Sequence, residues 1–240
     1  MNHSPDHGAA ETAQHTDLSS RTRVDVHCGK MGSGANPIDS DDWVVPLPAP
    51  RNRVPNATHF RSTWITASQG TLKARGLRER YEAQIAPEHR DVLLNIIAGE
   101  WLPMDIAHAH YSACDRLRLP ADELLEIGIE ATKKASKTHI AFVVRMAQGM
   151  GVTPWTLLSQ TPRIWTRTFR GGGAIGVARL GPKDARLEIV GFPVAGLRYL
   201  RVTMRTIVGS MLERFCERAY AKDIPAMCDE RVLAMRLSWV

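Results

Sequence analysis

Two histidines in one short stretch are the first candidates for chemistry in this sequence. His108 and His110 form an H-x-H pair within "AHAHY", and imidazole nitrogens are common zinc ligands. On a strand the two side chains would point to the same side and share a metal, whereas on a helix they diverge by about 200°. The apolar periodicity around them predicts a helix, so the sequence does not favour a joint metal site.

The cysteines do not form a recognisable reactive or metal-binding pattern. Cys28, Cys114, Cys216 and Cys228 lie far apart, with no C-x-x-C pair, which indicates mostly buried thiols rather than a zinc knuckle or a disulfide framework. No nucleophile with a neighbouring base and no pair of carboxylates can be placed. We therefore predict no catalytic residue and no metal ligand, and an enzyme of unknown class is the third choice among the functions considered.

Three consecutive glycines, Gly171 to Gly173, raise the possibility of a phosphate-binding loop. Such a loop follows a strand and precedes a helix, whose N-terminus supplies amide donors. Here a helical pattern precedes the glycines, a strand pattern follows them, and no Lys-Ser/Thr pair ends the motif. The glycines therefore predict the entry to a β-hairpin, with its turn at Gly181–Asp184.

Arg198, Arg201 and Arg205 recur at three- and four-residue steps, so they lie on one face of a predicted helix. With a formal net charge of +6, the chain can attract an anionic partner, and a row of arginines can contact phosphates or an acidic protein. The ordinary solvated face of an amphipathic helix explains the same spacing. Few aromatic residues lie between the arginines, which disfavours nucleic acid as the partner of this basic face.

The elements that must position these residues are helices first and strands later. From about residue 59 to residue 170, the spacing of apolar residues predicts five or six helices with short connections. Two strand pairs then flank a long amphipathic helix, Leu197 to Phe215, and the last strand is contained in "RVLAMRLSW". Helices segregated from an antiparallel sheet define the α+β class. The apolar side of the long helix includes Leu200, Met204, Ile207, Val208 and Met211.

Residues 1–58 have a different composition, rich in Gly, Ser, Asp, Asn, Pro and His. Their stretch "VVPLPAPRNRVP" predicts an extended linker, because a proline disfavours helical conformation in the residue before it. We predict a disordered or extended tail over residues 1–58 and a single α+β ligand-binding-like domain over residues 59–240. A metal-binding tail is the open alternative, with His3, His7, His15 and His27 beside Cys28.

Several longer stretches resemble a known group of proteins. They are "RDVLLNIIAGEWLPMDIAHAHYSAC", "ELLEIGIEAT", "RMAQGMG", "VGFPVAGL" and "RVLAMRLSW". They resemble an expanded paralogous family of myxobacterial proteins, which is similar to the superfamily of haem-nitric-oxide-binding domains, 4-vinyl-reductase-type ligand-binding domains and TRAPP subunits. The resemblance implies several helices followed by two β-hairpins that are separated by a long helix.

The haem-binding branch of this superfamily implies a proximal histidine late in the helical part and a tyrosine-serine-arginine signature near the sheet. The stretch "YSACDR" has a different spacing and lies on an early helix, and residues 152–174 contain no histidine. The sequence therefore argues against haem, and no cofactor is predicted.

The resemblance and the predicted elements lead to a first hypothesis, a non-enzymatic ligand-binding or protein-interaction module in bacterial regulation. Its site would be an apolar pocket between the helical layer and the sheet. The residues predicted to line it, each of which can instead be ordinary core, are Tyr111, Phe142, Met146, Trp155 and Trp165. The alternative is a dimerising scaffold of the TRAPP-like type without a small-molecule ligand.

The expected partners are a second copy of the chain or another protein, together with an apolar small molecule. The sequence contains neither the apolar core of a signal peptide nor a run of about 18 apolar residues, which a transmembrane helix needs. We therefore predict no membrane span and a cytoplasmic protein.

Overall fold

The computed structural model describes residues 42–135 and 153–240, and their helices and strands follow the predicted α+β order. The helices are α1 (Thr63–Ala74), α2 (Arg78–Glu82), α3 (Pro87–Leu94), α4 (Met104–Arg116), α5 (Ala121–Ala135), α6 (Pro154–Ser159), α7 (Thr161–Thr168) and α8 (Arg198–Leu212). The strands are β1 (Trp43–Val45), β2 (His59–Arg61), β3 (Trp101–Pro103), β4 (Phe169–Arg170), β5 (Ala174–Gly181), β6 (Asp184–Val190), β7 (Ala219–Asp223) and β8 (Val232–Trp239).

The strands of the described ranges form two antiparallel sheets. The larger has the order β1-β5-β6-β8-β7, and the smaller has the order β3-β2-β4. In the larger sheet Leu187 is the partner of Val177 on β5 and of Met235 on β8. The turn between β5 and β6 is exposed at Pro182 and Lys183, where the sequence predicts it. The prediction of two hairpins separated by a long helix is confirmed.

Helix α8 is the element that connects the two strand pairs. It packs closely along α5, where a Cβ on Gly128 would lie only 3.0 Å from the carbonyl oxygen of Thr203. A side chain at this position would push the two helices apart, so glycine permits their close approach. Leu200, Ile207 and Met211 are buried on the side of α8 that the sequence predicts to be apolar.

The segment before β2 is extended, but it is packed on the domain. Strand β1 pairs with β5 at the edge of the larger sheet, and Val54 and Ala57 are almost fully buried. The amide of Ala57 donates to the carbonyl of Gly191 at 2.8 Å, and that of Gly173 donates to the carbonyl of Pro55 at 2.7 Å. The linker prediction is therefore wrong for residues 43–57, which belong to the folded unit.

Two pairs of helices are each separated by a short connection. Gly76, with a φ of +68°, separates α1 from α2. The proline at position 162 begins a new helix, so α6 and α7 are separate helices. Near the end of α3, Leu93 is fully buried, whereas Val92 is 44% and Ile97 is 65% exposed.

Candidate functional site

An apolar cavity of about 90 Å³ lies between the helical layer and the larger sheet. Its wall comes from α1, α4, α5, α7 and α8 and from the first hairpin of the sheet. All five apolar residues that the sequence places on one side of α8 line it. The aromatic residues of the wall are Phe60, Trp64, Tyr111, Trp165, Phe169, Phe192 and Tyr199.

Stacked and edge-on aromatic rings hold one side of the cavity wall. The rings of Trp165 and Phe169 are stacked with centroids 4.0 Å apart, and Phe192 meets Phe169 edge-on at 5.2 Å. The indole nitrogen of Trp165 donates to the carbonyl of Gly172 at 3.1 Å. These contacts satisfy the polar atom of the indole and leave an apolar surface toward the cavity.

The described wall contains five hydroxyl groups. Oγ of Ser68 and the hydroxyl of Tyr199 form a hydrogen bond of 2.9 Å. The hydroxyl of Thr203 donates to the carbonyl of Tyr199 within its own helix. Tyr111 is 5% exposed, and its hydroxyl has no hydrogen-bond partner within residues 42–135 and 153–240.

A buried polar chain lies behind the cavity wall. The hydroxyl of Tyr81 is 2.7 Å from Nδ1 of His110, and Nε2 of His110 is 3.7 Å from Sγ of Cys114. Burial lowers the pKa of His110 to about 3 and raises the pKa of the Cys114 thiol well above its usual range. Both groups are therefore neutral near pH 7, and Cys114 lacks the thiolate that a nucleophile requires.

The two histidines of the H-x-H pair diverge on α4. His108 is exposed, whereas His110 is fully buried, as the helical spacing predicts. Within the described ranges no three His, Cys, Asp or Glu side chains are grouped so that they could hold a metal ion.

The structure brings two of the predicted lining residues, Tyr111 and Trp165, to the cavity. Trp155 is not among the described residues of the wall. Its indole nitrogen donates to the carbonyl of Pro182 at 2.9 Å, and its ring meets Trp239 edge-on at 5.0 Å, so it packs at the turn of the first hairpin. Phe142 and Met146 lie outside the described residues.

The arginines of α8 do not form one open basic face. Nη1 of Arg198 donates to the carbonyl of Leu119 at 2.8 Å, and Nη2 of Arg201 lies 3.5 Å from Oδ2 of Asp223. In the described part of the chain, only Arg205 of the three has no hydrogen bond or ion pair. Two of the three guanidinium groups thus contact other parts of the domain. The three- and four-residue spacing of the arginines does not predict these contacts.

Most of the aromatic residues in the described cavity wall were not predicted from the sequence. Phe60 and Phe169 lie on short strands of the smaller sheet, and Phe192 follows Gly191 after β6. Each is a single aromatic residue outside a helix, so no periodicity distinguishes it from ordinary core. The one local signal is a neighbouring glycine in "FRGGG" and "GFP", where a bulky ring lies next to a turn.

A second pocket, of about 210 Å³, lies beside α1 and α2. Its wall includes the charged side chains of Lys73, Arg78 and Glu82. Nε of Arg78 is 2.5 Å from Oε1 of Glu82, so these two charges neutralise each other. The apolar cavity is therefore the better candidate for a ligand, because its wall offers a large desolvated surface.

The fold is similar to that of solved H-NOX structures. A variant of the H-NOX protein from K. algicida, in its Fe(II) unliganded form, aligns with a TM-score of 0.53 at 8% identity, over 75% of this chain and 96% of that chain. An oxygen-binding H-NOX domain related to soluble guanylate cyclases, solved as its oxygen complex, aligns with a TM-score of 0.50 at 11% identity, over 75% and 94% of the two chains.

No protein-family model and no curated protein sequence matches the chain. At such low identities the structural similarity shows the fold alone. The H-NOX-like fold implied by the sequence resemblance is confirmed. None of the described helices is both long enough and apolar enough to cross a membrane.

The described residues of the cavity do not fit haem. A porphyrin with its four pyrrole rings is far larger than a cavity of about 90 Å³, and the described wall contains no histidine or cysteine to serve as an axial ligand. Burial raises the pKa of Tyr111 and Tyr199 above the usual range of a phenol, so neither supplies a phenolate near pH 7.

Proposed function

We propose that this domain is a ligand-binding module without a catalytic step, and that its apolar cavity binds a small molecule. The cavity itself supports the proposal most directly. Protein cores are packed to nearly crystalline density, and an unfilled space costs stability in proportion to its volume. A space walled by large aromatic and aliphatic side chains favours the transfer of an apolar ligand from water.

The volume of the cavity limits the size of its ligand. At about 30 Å³ per water, 90 Å³ corresponds to about three waters. A dry apolar cavity of about 150 Å³ binds benzene, so this smaller cavity sets one ring as the upper limit of size. We therefore propose a ligand of about the size of one six-membered ring.

The proposal is tested by titrating the protein with benzene and measuring heat release and thermal unfolding. Benzene is a single apolar ring and is known to enter dry apolar cavities. Binding at ten times the dissociation constant stabilises the folded state by about 1.4 kcal/mol, which raises the melting temperature. Ala131 lines the cavity on α5, so Ala131→Leu fills the space and should abolish binding without unfolding the protein.

Ala109→Leu is the matched control, because Ala109 is partly buried on α4 and does not line the described cavity. This variant should bind benzene as the wild type does. The proposal fails if the wild type shows no benzene-dependent heat or stabilisation, or if Ala131→Leu binds benzene as well as the control.

A dimerising scaffold is the second candidate, and one observation favours it. Leu125 and Ile129 are 37% and 38% exposed one turn apart on α5, which gives this helix a small apolar patch at the surface. Light scattering during size-exclusion chromatography tests this candidate. A wild-type dimer that Leu125→Glu converts to a monomer would support it, and a monomeric wild type would exclude it.

A further inference from the structure

The hydroxyl of Tyr111 makes no hydrogen bond to the described residues. The side chain is 5% exposed and lines the cavity, where its ring lies beside Phe60 and Tyr199. In the described part of the chain, the enclosed polar side-chain atoms without a partner are Nδ1 of His89 and Oδ1 of Asp223, so the Tyr111 hydroxyl is not sealed inside protein. Because an unpaired hydroxyl is costly, it needs a partner from outside the protein, and the cavity that Tyr111 lines is the space from which an acceptor can come.

The other hydroxyls of the wall are already occupied. The hydroxyls of Ser68 and Tyr199 bond each other. Thr168 donates to the carbonyl of Ile164 at 3.0 Å, and Thr203 donates to its own helix. Among the hydroxyls of the described wall, the one of Tyr111 alone has no hydrogen-bond partner in the described residues.

The wall also lacks charge. None of its described residues is Lys, Arg, His, Asp or Glu. An ionised ligand group would be buried without a counter-charge, which is far more costly than burying a neutral polar group that makes a hydrogen bond.

We infer that the ligand is a small neutral molecule with an apolar body and one hydrogen-bond acceptor, such as a carbonyl oxygen, to which the Tyr111 hydroxyl donates. This inference rests on the proposed function, because it requires that the cavity binds a ligand. It adds the chemical class of that ligand and assigns Tyr111 as the residue that selects it.

Two probes of nearly equal shape test the assignment. Cyclohexanone carries a carbonyl oxygen, and methylenecyclohexane carries a CH₂ group in the same place. Their dissociation constants for the wild type and for Tyr111→Phe are measured by NMR titration of the full chain. Loss of one neutral hydrogen bond weakens binding by about threefold to tenfold, so Tyr111→Phe should weaken cyclohexanone binding by that factor and leave methylenecyclohexane unchanged.

Tyr81→Phe is the matched control, because the Tyr81 hydroxyl bonds His110 and does not line the described cavity. It should leave the affinities for both probes unchanged, and thermal melting confirms that each variant folds. If both probes bind and Tyr111→Phe alters neither affinity or both equally, the role of Tyr111 is overturned while the proposed function stands. If neither probe binds the wild type, the proposed function fails together with the inference.

Discussion

Arg51 donates two hydrogen bonds to the fully buried carboxylate of Glu188, from Nε to Oε2 at 2.5 Å and from Nη2 to Oε1 at 2.8 Å. Nε of Arg186 donates to the same Oε1 at 2.7 Å. Glu188 lies on β6, in the middle of the larger sheet, whereas Arg51 belongs to the segment before β2. The pair therefore fixes that segment to the sheet.

Replacing Arg51 with alanine should lower the free energy of unfolding by about 2 kcal/mol. Removing one partner of a buried ion pair costs about 3–5 kcal/mol, but Arg51 is 41% exposed and Arg186 still bonds the carboxylate, so a smaller loss is expected. Arg53→Ala is the control, because Arg53 lies exposed in the same turn. Urea denaturation of both variants measures the difference, and equal stabilities would contradict the role given to Arg51.

Stability should fall on acidification because of His110. Its pKa is about 3 in the folded protein, where burial disfavours the imidazolium, and about 6.5 in the unfolded chain. Between these pKa values the unfolded chain binds more protons than the folded protein. The free energy of unfolding is therefore unaffected by this group above pH 6.5 and decreases as pH falls toward 3. Between pH 7 and pH 5, His110 alone should lower the free energy of unfolding by about 2 kcal/mol.

Urea denaturation at the two pH values checks this expectation, with His110→Gln as the comparison. Glutamine does not titrate, so the variant should lose about 2 kcal/mol less than the wild type over the same interval. Equal losses in the two proteins would show that His110 is not held neutral by the fold.

Replacing Ile207 with aspartate should unfold the domain or lower its free energy of unfolding by several kcal/mol. Ile207 is 6% exposed and lines the cavity on α8, so a carboxylate there is buried without a partner. Ser210→Asp introduces the same group into the same helix at a partly exposed position and should cost much less. Thermal melting compares the two variants, and similar melting temperatures would contradict the burial of Ile207 on α8.

The apolar side of α8 was predictable because one continuous element carries it. Leu200, Met204 and Ile207 recur at helical spacing, and a helix buries whichever side is apolar. The order of helices and strand pairs was predictable for the same reason. The spacing of apolar residues and the residues at the turns indicate each element separately.

The packing of the segment before β2, residues 43–57, was not predictable from its own residues. A three-residue edge strand has too few positions to show alternation, and prolines are typical of both linkers and sheet edges. Whether Val54 is buried depends on the sheet that it covers, and whether Arg51 is fixed depends on Glu188, 137 residues away.

The described cavity contains only part of the predicted lining. Trp155 and Trp165 lie ten residues apart with similar surroundings in the sequence, yet only Trp165 reaches the cavity. The short connection at Gln160 divides their helices, so the direction of each side chain depends on tertiary packing. Tyr111 was predicted as a lining residue, but the lack of a partner for its hydroxyl in the described residues depends on tertiary contacts that the sequence does not show.

A crystal structure determined under xenon pressure tests the ligand-binding account most directly. Xenon enters apolar cavities without needing a polar contact, and its electron density identifies the site without knowledge of the natural ligand. The account predicts one strong xenon peak in contact with Phe192, Leu200 and Ile207, between α8 and the larger sheet. A site between these residues that is closed by side chains, with no xenon density, would contradict it.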